Sequence, residues 1–128
     1  MSTDHLAWFA KADEDLAMIE IGIAGKAPWA PLCVHAQQLA EKYLKGYLVS
    51  RGVLPPKVHD LERLLDLCAA QDASLESLRQ DCVRLLEVSS RSRYPGWDVP
   101  NEESGAAAVD GARRVRTAVL GRIAEANQ

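Results

Sequence analysis

Apolar residues recur along this chain with the helical period, and no segment alternates as a strand would. Leu6, Phe9, Leu16, Ile19 and Ile23 predict a first helix that starts with Thr3 or Asp4 as its cap and runs to about Ala24. Gly25 and Pro28 then break the pattern. A second helix is expected from near Pro31, a residue suited to a first turn, to a stop at Gly52. Pro55 and Pro56 cannot continue it. Leu61, Leu64, Leu65 and Cys68 mark a short third helix from about Asp60 to Ala70. A fourth, capped by Ser74 and ending at Ser89 or Ser90, presents Leu75, Leu78, Cys82, Leu85 and Leu86. The last runs from Asn101 or Glu102 to Ala124, with Val109, Ala112, Val119, Leu120 and Ile123 inward. Short connections between such helices predict an all-α, up-and-down bundle of four long helices plus one short helix, as a single domain over residues 1–128.

The second helix carries the most information. At about 100° per residue, Leu32, Ala36, Leu39, Ala40, Tyr43, Leu44 and Tyr47 share one side and form a core face. His35, Gln38, Lys42 and Lys45 gather on the opposite side, within an arc of roughly 80°. Such a stripe offers hydrogen-bond donors and positive charge to a ligand, or it is a solvated face with a Glu41–Lys45 pair at the favourable i,i+4 spacing.

Composition narrows the classes. Hydrophobic residues make up 48% and charged ones 26%, the proportions of a globular chain. The net charge of −3 gives no general pull toward nucleic acid, so such binding needs a local patch. The chain shows no secretory signal and no stretch approaching the ~18 apolar residues of a membrane span. Cys33, Cys68 and Cys82 are odd in number and far apart, without a Cys-x-x-Cys pair or a neighbouring histidine. Reduced structural thiols and a cytoplasmic location are the expectation. No metal set and no cofactor motif is present, whether a phosphate loop, a dinucleotide fingerprint or a zinc-protease pair.

Outside the second helix, two places carry candidate chemistry. His59 stands before Asp60 at a helix start, suited either to capping or to a phosphate site. Arg91 has Glu87 four residues before it as a local partner. Arg93 falls past the helix end beside Tyr94, with Pro95 and Trp97 following. A guanidinium next to a phenol suits phosphate binding and base stacking, or else a helix C-terminus and a loop anchor. Arg113, Arg114 and Arg116 form a basic run with Asp110 at i,i+4 from Arg114, the pattern of a solvated face.

The blocks His35-Ala36-Gln37-Gln38 with Glu41-Lys42 and Lys45, then Arg51-Gly52-Val53 with Pro55-Pro56-Lys57 and His59-Asp60-Leu61, then Arg93-Tyr94-Pro95 occur in an order that closely resembles the HEPN domain family. The resemblance spans nearly the whole chain, including Trp8-Phe9, Lys11-Ala12 and Glu14-Asp15-Leu16. It implies a helical bundle that commonly pairs as a homodimer. Many members are ribonucleases, often toxins accompanied by a minimal nucleotidyltransferase, with an active site built from an Arg followed four to six residues later by a His. No His follows Arg91 or Arg93 here. The small stand-alone members that share these blocks imply instead a nucleotide- or RNA-binding module. The expected site is a groove shared by His35, Gln38, Lys42, His59, Arg93 and Tyr94, with a ribonuclease of rearranged site or a purely structural dimerisation protein as the alternatives. Three tryptophans and three tyrosines, Trp29 and Trp97 near loops, supply material for an apolar contact patch.

Overall fold

A computed structural model describes residues 4–96 and 99–127. Its helices are α1 (Asp4–Ala24), α2 (Trp29–Ser50), α3 (Leu61–Gln71), α4 (Arg79–Ser92) and α5 (Glu102–Ala126), with a 3₁₀ segment Ala73–Leu78 before α4. No strand occurs among the described residues. The architecture is the expected all-α bundle, four longer helices and one short.

The central helix is α2, packed against α1, α3, α4 and α5. Its apolar face is fully inside: Leu39, Ala40, Leu44 and Leu48 have no exposed surface, and Tyr43 and Tyr47 almost none. The polar side is also covered, since Gln37, Glu41 and Lys45 are buried. A solvated face is therefore not what Glu41 and Lys45 form. Gly46 lets α1 cross closely, because a Cβ there would sit 2.5 Å from Phe9 Cε1.

Several boundaries differ from the periodic reading for local reasons. α2 begins two residues before Pro31, at Trp29, whose ring lies half-buried over Gly105 rather than on a loop; a Cβ on Gly105 would meet it at 2.6 Å. Gly52 stops α2 as expected, with φ +75° and the Val53 amide returning to Leu48 O. Ser74 does not open an α-helix. Asp72 accepts from both the Ser74 amide and its hydroxyl, which tightens the chain into 3₁₀ turns and delays α4 to Arg79. Asp60 caps α3, and Asn101 caps α5 in a reciprocal box with Ser104.

Leu6 and Ile23, expected inside, are 55% and 38% exposed. They join Met18 and Ile21 in leaving α1 with apolar side chains outside as well as in. Thr3 and Trp97 lie outside the described residues.

The three cysteines are free and buried. Burial pushes the Cys33 thiol up to about 11 and those of Cys68 and Cys82 up to about 12, so all three are inert.

Candidate functional site: a cationic groove on the central helix

The polar stripe of α2 lies between α1 on one flank and the α2–α3 loop with the end of α4 on the other. Each flank supplies a partner to a different part of the stripe.

On the loop side, Glu41 is the hub. Its side chain is only 9% exposed, and three donors surround it. Lys45 Nζ lies 3.3 Å from Oε2, Gln37 Nε2 donates to Oε1 at 3.1 Å, and His59 Nδ1 is 3.1 Å from both oxygens. A buried carboxylate requires such a set, because an unpaired one costs several kcal/mol. Gln37 also donates to the backbone oxygen of His59 at 3.2 Å, which ties the extended loop down onto α2. The Gln37 oxygen then accepts from Arg93 Nη2 at 3.4 Å. Arg93 is the C-cap residue of α4, so the helix end delivers its guanidinium to the mouth of this network.

On the α1 side, the hub is Asp15, 7% exposed. Its Oδ1 is 2.9 Å from His35 Nδ1 and its Oδ2 accepts from Lys42 Nζ at 2.7 Å. One buried carboxylate thus holds two members of the stripe.

Gln37, Gln38, Glu41, Lys42, His59 and Arg93 together line a groove of about 290 Å³. Four of the residues expected from sequence meet there: Gln38, Lys42, His59 and Arg93. His35 does not line the groove and is linked to it through Asp15 and Lys42. Tyr94 follows Arg93 in the chain but is exposed and does not line this groove. Sequence reasoning missed Gln37, Glu41 and Asp15. A carboxylate among Ala12, Leu16 and Ile19 on the buried face of α1 was the signal for Asp15, since a charge on an apolar face needs a partner.

The groove keeps its positive charge. Glu41 is offset by Lys45 and Lys42 by Asp15, so the surplus charge is that of Arg93, which has no carboxylate partner among the described residues and keeps most of its N–H donors. The arginines of α5 behave otherwise. Arg113 pairs with Asp110, Arg114 with Asp81 through two bonds at 2.8 and 3.1 Å, and Arg116 with Asp13. The expected Asp110–Arg114 pair is replaced by the bidentate contact to Asp81, and the basic run on α5 is neutralised. A second depression, between α4 and α5, is lined by Arg84, Glu87, Glu103 and Ser104 among others, with its charges of mixed sign.

No described group of His, Cys, Asp and Glu has the geometry to hold a metal ion, and no described helix is long and apolar enough to cross a membrane. The fold and groove define a helical domain whose central helix presents a polar, cationic site. The HEPN domain profile matches residues 5–123, and the chain belongs to that family. A crystal structure described as an archaeal HEPN homologue superposes with a TM-score of 0.73 at 24% identity, covering 93% of this chain and 97% of the other. That likeness is one of fold. No curated protein matches the chain.

Proposed function

We propose that this protein is a nucleotide- or RNA-binding HEPN module whose groove takes a phosphate. The observation that carries the reading is the end point of Arg93: a guanidinium at the groove mouth bound to a neutral amide rather than to a carboxylate. Lys42 on the same groove, although paired with Asp15, keeps two N–H donors, and a charge-assisted bond to phosphate is worth about 1.5–3 kcal/mol. Tyr94, exposed and adjacent, is available to stack on a base. The module acts without an Arg-to-His ribonuclease motif, since the last histidine of the chain is His59.

Two partners belong to the same reading. A second copy covers the outer face of α1, where Leu6, Met18 and Ile21 stand exposed on a helix that is apolar on both sides. A minimal nucleotidyltransferase accompanies the dimer in a toxin–antitoxin-type pair, the partner that the resemblance of the sequence blocks implies. The three reduced, buried thiols suit the cytoplasm.

The deciding experiment measures binding of nucleotides and short RNA to wild type and Arg93→Ala at two salt concentrations. Wild-type binding that weakens with salt and falls at least ten-fold in the variant is expected. No binding by the wild type, or equal binding by both, would overturn the phosphate site. Light scattering at micromolar concentration checks the homodimer, and a monomer there removes it.

A further inference from the structure

His35 of the stripe and His59 of the α2–α3 loop share a feature that limits what they can do. Each turns Nδ1 toward a buried carboxylate, His59 toward Glu41 and His35 toward Asp15. A carboxylate only accepts, so Nδ1 must carry the proton. The neutral ring then has a lone pair at Nε2 and cannot donate from that atom. Phosphate oxygens are acceptors too. A neutral histidine held this way gives a phosphate nothing, and it needs a donor from the ligand.

Only His59 of the two lines the groove. Its side chain is 84% exposed, yet the ring is pinned by both oxygens of Glu41 and its own carbonyl is held by Gln37. An exposed imidazole fixed at both backbone and ring is already ordered before any ligand arrives, so a bond to Nε2 sacrifices little side-chain entropy. Lys42 and Arg93 stand on the same groove as phosphate donors. On a ribonucleotide, the donor nearest a 3′-phosphate is the 2′-hydroxyl, which is the group that separates RNA from DNA.

We propose that His59 is the specificity-determining residue of the groove: its Nε2 accepts the 2′-hydroxyl of a ribose whose 3′-phosphate rests on Lys42 and Arg93, so the site prefers ribo- to deoxyribonucleotides. Glu41 is the positioning residue that fixes the tautomer. The inference rests on the phosphate-binding reading above and adds the sugar to it.

The test compares adenosine 3′-monophosphate with its 2′-deoxy counterpart, on wild type, His59→Ala and Arg93→Ala at pH 8. Wild type is expected to favour the ribonucleotide by about two- to ten-fold, the worth of one neutral hydrogen bond. His59→Ala is expected to bring the ratio close to one, chiefly by weakening the ribonucleotide. A urea titration of the variant, whose Glu41 keeps Lys45 and Gln37 as donors, separates that loss from a change in the fold. Nitrogen NMR of the free protein should show the His59 proton on Nδ1. Equal wild-type affinities, a ratio that survives in His59→Ala, or a proton on Nε2 would overturn the sugar assignment and leave the phosphate site standing, provided Arg93→Ala still loses both nucleotides. If the wild type binds neither, the phosphate site falls and this inference falls with it.

Discussion

Tyr43 and Gln37 start two side-chain networks from opposite flanks of α2, and each network ends on an arginine. From Tyr43 the hydroxyl donates to Asp13 of α1 at 2.7 Å, Arg116 of α5 closes on the same carboxylate at 3.0 Å, and its guanidinium lies 5.7 Å from the Tyr43 ring centre. Three helices are joined and the arginine's charge is cancelled. From Gln37 the chain of bonds runs to Glu41, to the His59 backbone and to Arg93. Here the carboxylate is offset by Lys45, and the arginine stops at an amide oxygen. An arginine closed on a carboxylate holds helices together. One left on an amide keeps most of its N–H donors unpaired at the groove.

Removing the carboxylate from the first network should have the largest effect on stability. Asp13→Ala leaves the buried Tyr43 hydroxyl without its acceptor and Arg116 without its partner, at a cost of about 1–3 kcal/mol. A urea titration checks this, and phosphate binding should be unchanged. An Asp13→Ala protein as stable as the wild type would mean the first network holds nothing together.

Alkaline pH separates the networks next. Burial and the bond to Asp13 push the Tyr43 phenol up to about 12, and burial raises that of Tyr47 as well. In the unfolded chain a phenol ionises near ~10. Between these values the unfolded state loses its proton first, so stability is complete below about pH 10 and falls as pH rises toward about 12. Thermal midpoints followed alongside phenolate absorbance should show that decline, and Tyr43→Phe should reduce it. A flat profile from pH 9 to 11.5 would contradict the Tyr43 environment.

The two networks were not equally legible in sequence. Every apolar position assigned to the α2 core face is buried, because helical period alone decides it. Asp60 and Asn101 were readable as helix starts, since caps are local. Gln38, Lys42, His59 and Arg93 were legible as polar candidates, yet their convergence depends on a loop folding back along α2, which no spacing rule contains. The pairs Asp13–Arg116 and Asp81–Arg114 join residues far apart in the chain. The i,i+4 rule sees only neighbours and so favoured Asp110 for Arg114, whereas a bidentate contact from another helix outweighs a local pair worth a few tenths of a kcal/mol. Glu41 was read as a solvated partner of Lys45 because a helical wheel shows which side a residue faces, not what comes to cover it.

Smaller effects sharpen the contrast. Arg114→Ala breaks a bidentate pair, but the arginine is half exposed, and the loss should stay at or below about 1 kcal/mol. Arg93→Ala should cost still less, within about 0.5 kcal/mol, the usual range for surface positions away from buried networks. Its bond to Gln37 is long and neutral, and Gln37 keeps its two donated bonds to Glu41 and His59 when the arginine is gone. A residue whose removal leaves the fold unchanged but abolishes phosphate binding is maintained for the ligand. Should Arg93→Ala instead destabilise the bundle by as much as Asp13→Ala, the guanidinium would be structural glue like Arg116, and the distinction between the two networks would collapse.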